Sequence, residues 1–221
     1  MLARGKARLR PTRAVPRNPE RTREALLQAA ARTVHESGFQ GTDLDTILKE
    51  AGVTKGALYH HFDGKEALGY AIVDEVLTDL TRDKWLRPLE TAPNPVDALI
   101  GIVEATSLQA EHVRCGCPLN NLSQEMSPLD EQFRRRIARV FGDWQDGVAS
   151  ALRAGQKRGL VDKSVDPTDT ATFFVALYEG YISLAKNAQD ARVLQSGKRR
   201  MVQFLESLRA ARGRREKVAA G

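Results

Sequence analysis

The chain has 221 residues, of which 42% are hydrophobic and 28% charged, a balance typical of a globular protein with a sizeable core. Two cysteines are too few for a disulfide framework, and no apolar run approaches the ~20 residues that cross a bilayer. The basic N-terminus also lacks the apolar stretch of a secretory signal, so we expect a cytoplasmic protein with no membrane partner.

Positive charge is concentrated at the N-terminal end. Residues 1–65 hold 12 Lys and Arg against 7 Asp and Glu, which accounts for +5 of the net charge of +6. Such a region attracts nucleic-acid phosphates or an acidic membrane surface. Residues 1–17 contain basic residues, Pro11 and Pro16 and little that is apolar, which predicts a disordered arm. This arm either supports nucleic-acid binding or is simply a solubilising tail.

Four helices are predicted in the N-terminal part of the chain, with almost no strand signal. Asn18 followed by Pro19 is typical of a helix start. Asp45 occupies a capping-box position in the second helix, and Asp63 with Glu66 predicts the start of the fourth. The caps and glycine stops place these helices from Asn18 to Gly38, from Thr42 to Gly52, from Thr54 to near His61, and from Gly64 to about Thr81.

Prolines at 88, 93 and 95 mark a junction, beyond which five further helices are predicted. These lie near 96–112, 118–126, 129–156, 167–188 and 196–212. The sequence therefore predicts an all-α fold of about nine helices. We divide it into an arm (1–17), an N-terminal helical domain (18–81), a second helical domain (82–212) and a basic tail (213–221).

The last two predicted helices carry more apolar residues than one core-facing stripe requires. A helix shows such a surplus when it faces both its own core and a partner subunit, although a deeply buried central helix is the alternative. The predicted dimer interface comprises Phe173, Phe174, Leu177, Tyr178, Tyr181, Phe204, Leu205 and Leu208.

Residues 54–62, TKGALYHHF, form a short predicted helix with two different faces. At about 100° per residue, Leu58 and Phe62 face the core, whereas Gly56 and His60 lie on the opposite side. A glycine within so short a helix costs roughly 1 kcal/mol relative to alanine. Close approach of a partner to the outward face would offset that cost.

Two other features of this segment bear on its function. Adjacent histidines diverge by about 100° around a helix, so His60 and His61 cannot both bind one zinc ion, and we expect no metal site. Gly52 provides the turn between two short helices, which is the helix-turn-helix layout that places its second helix in the DNA major groove. Residues 43–62 therefore predict a DNA-binding motif.

The same residues are similar to the N-terminal domain of the TetR family of bacterial transcriptional repressors. The similarity covers about residues 20–80 and includes Gly38-Phe39, Ala51-Gly52-Val53 and the run KGALYHHF from Lys55. The family resemblance implies an all-helical homodimer whose two recognition helices enter successive major grooves of a palindromic operator. Its half-sites would lie about one helical turn apart, ~34–36 Å.

The resemblance also implies which residues contact DNA. The leading end of the recognition helix comprises Thr54, Lys55, Gly56 and Ala57, and the phosphates are held by Thr42, Tyr59, His60 and Lys65. Among these we expect Lys55 to contact a base, because a lysine donates to O6 and N7 of guanine.

Residues 115–137, CGCPLNNLSQEMSPLDEQFRRRI, resemble a segment of TetR members that respond to reactive electrophiles or small toxic organic compounds. The implied effector pocket is lined by Leu119, Leu122, Met126, Phe133, Phe141 and Trp144, each of which could instead be an ordinary core residue. Cys115 and Cys117 are candidate thiol sensors if Arg114 and the helix N-terminus at Pro118 lower a thiol pKa. Inert buried cysteines are the alternative.

These features predict a ligand-responsive repressor that a small organic effector releases from its operator, with the fourth helix as the lever. Activation in place of repression is also compatible with the sequence. We expect neither enzymatic activity nor a cofactor, because the chain has no Gly-rich phosphate loop, H-E-x-x-H or G-x-S-x-G motif. A protein–protein module would explain the helices and the charge, but not Gly56 opposite Leu58 and Phe62.

Overall fold

The computed structural model describes residues 19–210, and helices dominate this part of the chain. In chain order they are α1 (Pro19–Ser37), α2 (Leu44–Ala51), α3 (Lys55–His61), α4 (residues 65–90), α5 (Pro95–Glu104), α6 (Ala110–Cys115), α7 (Pro118–Met126), α8 (Glu131–Lys157), α9 (Pro167–Ala188) and α10 (Ala191–Ser207). The predicted all-α class is confirmed. The predicted arm (1–17), the Asn18 cap and the tail (213–221) lie outside the described residues. Within residues 19–210, none of the helices combines the length and apolarity needed to span a membrane.

Helix α4 is longer than predicted and changes its hydrogen-bonding pattern along its length. The α-helical segments Lys65–Ala71, Thr78–Thr81 and Arg87–Glu90 alternate with the π-helical segments Ile72–Leu77 and Arg82–Leu86. Pro88 does not end the helix, because it lies in the first turn of the last α-helical segment, where a missing N–H costs least. Departures from α-helical geometry of this kind are frequent at functional sites.

Several predicted helix ends differ from the structure. Helix α2 is capped by Asp43, whose carboxylate accepts the Thr46 N–H at 2.6 Å, and not by Thr42. Helix α4 follows Gly64 without a side-chain cap, so Asp63 does not cap it. The predicted helix over 96–112 is divided into α5 and α6, and the last helix begins at Ala191.

The buried side chains form two hydrophobic clusters whose boundary does not follow the chain. The first joins α1–α3 and the start of α4 to α7 and the first half of α8, and it includes Leu58, Leu122 and Phe133. The second surrounds Trp85 and Trp144 and is built from the end of α4 with α5 and α8–α10. Because α7 and α8 complete the core of the N-terminal helices, the two halves of the chain are packed together.

Gly69 in α4 lies at this junction, between the rings of Phe39 and Phe133. These rings pack edge to face with their centroids 4.8 Å apart. A Cβ at position 69 would lie 2.5 Å from Cε2 of Phe39 and 2.6 Å from Cζ of Phe133. Only glycine allows α4 to approach both rings this closely.

We expect Gly69→Ala to lower the free energy of unfolding by about 1–3 kcal/mol, because the added methyl overpacks this junction. The matched control is Gly101→Ala in α5, where an added Cβ meets no atom within 4 Å. The control should gain about 0.5–1 kcal/mol, since a helical glycine is replaced without a clash. Urea unfolding measures both changes, and equal stabilities of the two variants would contradict the close contact.

Candidate nucleic-acid interface and ligand cavity

Helices α2 and α3 form a helix-turn-helix whose turn is set by two residues. Gly52 adopts the left-handed conformation at φ 64°, and its N–H donates to the Lys49 carbonyl at 3.2 Å. Thr54 caps α3 as predicted, with its hydroxyl accepting the Ala57 N–H at 3.3 Å. These local bonds fix where α3 begins and therefore which residues lead it.

Helix α3 has one buried and one exposed face. Leu58 is fully buried, and Phe62, which follows the helix, is also buried. Tyr59 is 51% exposed. The other exposed residues at this surface are Thr54, Lys55, Gly56 and His60, while Ala57, His61 and Lys65 are half-buried. The structure thus brings most of the predicted contact residues onto one surface, which we call the α3 face (Thr54, Lys55, Gly56, Tyr59 and His60).

Gly56 is not required by the packing of the protein itself. A Cβ built at this position meets no atom within 4 Å, and the residue is exposed. The φ angle is not in the left-handed region either. Neither packing nor backbone conformation within the described residues therefore explains a glycine at this position.

The prediction that Thr42 contacts phosphate requires a correction, because Thr42 is buried and does not lie on the α3 face. It is only 3% exposed, and its hydroxyl lies 2.7 Å from the Gly38 carbonyl and 3.2 Å from the Thr33 carbonyl. The hydroxyl therefore ties the start of α2 to the end of α1. Lys65 is half-buried, with Nζ 4.7 Å from the centre of the Phe39 ring.

The N-terminal helices are joined to the rest of the molecule by two carboxylates that no sequence pattern indicated. Glu125 in α7 accepts the backbone N–H groups of Phe39 and Gln40 at 2.8 and 2.7 Å. Asp130 at the start of α8 accepts the Tyr70 hydroxyl of α4 at 2.8 Å. The position of α1, α2 and the start of α4 therefore depends on α7 and α8.

A cavity of about 170 Å³ lies among α4, the α6–α7 junction, α8 and α9. Its walls are mostly apolar, and they include Leu77, Trp85, Leu119, Trp144 and Ile182. Trp85 stacks on Trp144 with ring centroids 4.5 Å apart. The residues that bring polar groups to the cavity are Thr81, Lys84, His112, Cys117, Tyr178 and Glu179.

The residues predicted for the effector pocket do not all lie at this cavity. Leu119 and Trp144 line the cavity, whereas Leu122, Met126 and Phe133 belong to the first hydrophobic cluster. Phe141 is half-buried and stacks beside Trp144 without lining the cavity, at a centroid distance of 6.5 Å. An apolar pattern indicates burial but not the neighbour, so core residues could not be separated from cavity residues.

Lys84 is fixed in the cavity wall by a chain of hydrogen bonds. Its ammonium donates to the Tyr178 hydroxyl, which lies 3.2 Å from the Thr106 hydroxyl. An ammonium can only donate, so the Tyr178 hydroxyl accepts from Lys84 and can donate to the Thr106 hydroxyl. The Thr106 hydroxyl in turn donates to the Ile102 carbonyl at 3.3 Å. Burial lowers the pKa of Lys84 and raises that of Tyr178 above its ordinary range.

Glu179 is buried beside Lys84 with neither carboxylate oxygen satisfied. The residue is 7% exposed, and both oxygens lack a hydrogen-bond partner among the described residues. Burial raises its pKa to about 7, which the Cys117 thiol and then Lys84 partly oppose. The Cys117 thiol acts on this carboxyl as a weak hydrogen-bond donor, although neither oxygen has a partner in full hydrogen-bond geometry among the described residues.

Cys117 does not have the predicted electrostatic environment. Cys115 is buried, and Cys117 keeps some accessible surface because it lines the cavity. Burial, followed by the charge of Glu179, raises the pKa of Cys117 well above its ordinary value. The predicted lowering by Arg114 and the α7 N-terminus is therefore wrong for Cys117, because desolvation outweighs it. A thiolate sensor at this position loses its physical basis.

The predicted dimer interface also needs correction. Phe174, Tyr178, Leu205 and Leu208 are buried in the second cluster of the protomer itself, so they are not available to a partner. The other four predicted residues keep exposed surface, namely Phe173, Leu177, Tyr181 and Phe204. Phe173 is 51% exposed and meets Phe204 edge to face, and Leu184 adds a further exposed apolar side chain. We call these five residues the α9–α10 strip.

Comparison with known proteins identifies the family. Residues 26–72 match the model described as bacterial regulatory proteins of the tetR family, and residues 95–201 match the tetracyclin repressor-like C-terminal domain. The transcriptional regulator AcuR of Cereibacter sphaeroides is 30% identical, over 78% of this chain and 84% of its own length. The chain belongs to the TetR family of bacterial transcriptional regulators.

Other TetR-family proteins show the same likeness over most of their length. The HTH-type transcriptional repressor DhaR of Mycobacterium sp. strain GP1 is 28% identical, over 72% of this chain and 80% of its own. The crystal structure of a regulatory protein TetR from Rhodobacter sphaeroides matches with a TM-score of 0.71 and 30% identity. That match covers 82% of this chain and 97% of the other. The TetR N-terminal model spans both helices of the helix-turn-helix.

Proposed function

We propose that this TetR-family protein is a cytoplasmic repressor that binds a palindromic operator as a homodimer and is released by a small molecule in the cavity. The observation that carries the proposal is the α3 face, where exposed polar groups surround a glycine that the fold does not need. The half-sites lie one helical turn apart, ~34–36 Å, so that both copies of α3 enter the major groove on the same side of the duplex.

The proposed contacts on DNA follow from the exposure of the α3 face. Lys55 at the leading end reaches the base edges, and Tyr59 and His60 hold phosphates on the same side. Gly56 allows the helix to approach the groove closely. Ala57 and Lys65 support this surface from its edges. Thr42 positions α2 from within the fold and makes no phosphate contact.

The α9–α10 strip is the proposed dimer interface. Exposed apolar side chains on two adjacent helices suit a two-fold packing in which each strip meets its copy. The buried residues Phe174, Tyr178, Leu205 and Leu208 shape this surface from below. The spacing of the two copies of α3 then depends on how each α4 is held.

Effector release is proposed to act through α4 and α7. The middle of α4 lines the cavity through Leu77, Thr81 and Lys84, and its first turns pack against the helix-turn-helix. Helix α7 lines the cavity at Leu119 and holds the α1–α2 turn through Glu125. A ligand that fits the cavity better in one arrangement of these helices shifts the spacing of the recognition helices.

We expect Lys55→Ala and Tyr59→Ala each to weaken binding to a selected palindromic duplex by about 1–3 kcal/mol, because each removes a contact to DNA. Gel-shift titration at ~0.2 M salt measures this loss under conditions in which non-specific attraction is weak. Lys157→Ala at the end of α8 is the matched control, since it removes one exposed positive charge far along the chain from α3 and should leave binding unchanged. Equal binding of wild type to scrambled duplex would contradict the proposal. Reporter transcription with and without the protein separates repression from activation.

A further inference from the structure

The cavity contains an unpaired donor as well as an unpaired acceptor. Trp144 Nε1 is buried and has no hydrogen-bond partner among the described residues, as is true of both Glu179 oxygens. Both residues line the cavity. Leaving a buried polar group unpaired destabilises a fold, so such groups on two residues that line one cavity point to a ligand that pairs with them.

The charge of the cavity narrows the chemistry of that ligand. Glu179 and Lys84 bring one acid and one base to the same wall, and Lys84 has donors left after its bond to Tyr178. A cationic ligand would be placed beside Lys84, and an anionic ligand beside Glu179. A neutral group that can both donate and accept satisfies the wall without adding charge, and a hydroxyl is the smallest group that does so.

The size of the cavity and the composition of its walls define the rest of the ligand. The cavity of about 170 Å³ is close to the ~150 Å³ that accommodates benzene in an apolar protein core. Trp85, Trp144 and Tyr178 provide aromatic walls, with Trp85 and Tyr178 meeting edge to face at 4.7 Å. A small aromatic ring can pack among such side chains.

We propose that the effector of this protein is a neutral, phenol-sized aromatic alcohol, whose hydroxyl donates to Glu179 and accepts from Trp144 Nε1 or Lys84. Only the role of this ligand as an effector rests on the proposed function. The binding site itself follows from the unpaired groups, the charge balance and the volume.

The two tryptophans of the chain, Trp85 and Trp144, both line the cavity and report on its occupancy. Tryptophan fluorescence of the full-length protein, checked by calorimetry, is titrated with phenol, methoxybenzene and toluene. Methoxybenzene keeps the oxygen acceptor without the donor, and toluene has neither. We expect phenol to bind at least tenfold more tightly than the other two. Equal affinities, no binding of phenol, or tighter binding of benzoate or benzylammonium in a parallel titration would overturn the proposal.

Variants at the two unpaired groups test the assigned contacts. Glu179→Leu removes the acceptor and is expected to abolish the preference for phenol over toluene while toluene still binds. Glu179→Gln keeps an acceptor oxygen and should retain part of the preference, which protects the test if the leucine variant folds poorly. Trp144→Phe keeps an aromatic ring but removes the N–H, so it should weaken the binding of phenol more than the binding of toluene. An unchanged preference in all three variants would overturn the assignment.

Gel shifts on the selected duplex keep this proposal separate from the proposed function. If phenol binds with the expected preference but does not change the affinity for the operator, the ligand class is supported. The proposal that a ligand in the cavity releases the DNA is then contradicted. If the operator is bound specifically and phenol does not bind, the ligand class fails and the DNA-binding role stands. Release of the duplex by phenol but not by toluene supports both.

Discussion

Gly56→Ala is expected to stabilise the protein and to weaken operator binding at the same time. The stability gain is up to about 1 kcal/mol, because alanine is a better helix former and the added Cβ meets no atom within 4 Å. The same methyl stands on the α3 face, where we place the DNA. We expect at least a tenfold loss of affinity for the selected palindrome, about 1.4 kcal/mol.

Urea unfolding and gel-shift titration of the same Gly56→Ala preparation measure the two effects. Gly101→Ala is the control, because it too replaces an exposed helical glycine with open space around it but lies in α5, away from α3. The control should gain stability and bind DNA like wild type. If Gly56→Ala gained stability and kept full affinity, close approach of DNA at this position would be ruled out.

The second large effect is a pH-dependent stability that originates at Glu179. Burial raises the pKa of its carboxyl to about 7 in the folded protein, against an ordinary 4.5. Between these two values the folded state binds a proton that the unfolded state has lost, so stability falls as the pH rises. A shift of this size lowers the free energy of unfolding by about 3 kcal/mol. The full loss is reached only at a pH above the pKa of the folded protein.

Glu179→Gln isolates this contribution, because it removes the titration and keeps the shape. The groups around Glu179 are Lys84, His112, Cys117 and Tyr178, and they remain in both proteins. Burial lowers the pKa of His112, so this residue alone would make the folded state less stable in acid. This contribution is present in both proteins and is removed when their stabilities are compared.

The measurement is the free energy of unfolding of wild type and Glu179→Gln from about pH 4.5 to 8, at one protomer concentration because dimers unfold concentration-dependently. Relative to the variant, wild type should lose about 3 kcal/mol as the pH rises through this window. Parallel curves for the two proteins would show that Glu179 is not held in a desolvated site.

The two faces of α3 could be derived from the sequence alone. A turn glycine, a capping threonine and the spacing of Leu58 and Phe62 are local signals, and about 100° per residue converts them directly into a buried and an exposed side. The exposed Gly56 and His60 and the buried Leu58 and Phe62 agree with that derivation. The all-α class followed in the same way from helical spacing and caps.

Only the tertiary structure decided what each buried residue packs against. An apolar residue can serve the core, a ligand cavity or a dimer interface with the same local pattern. Leu122, Met126 and Phe133 were therefore assigned to a pocket that they do not line. Tyr178 was assigned to a dimer interface and instead lines the cavity. Thr42 looked like a surface hydroxyl, but its position at the α1–α2 turn buries it.

The polar residues of the cavity are the clearest case. Lys84 and Glu179 are far apart in sequence, and each is unremarkable in its own helix. Whether a carboxylate is solvated or unpaired depends on the groups that folding brings around it, and no local pattern contains that information. The sequence by itself therefore determined the helices and the two faces of α3, whereas only the tertiary structure decided where a cavity forms and which polar groups line it.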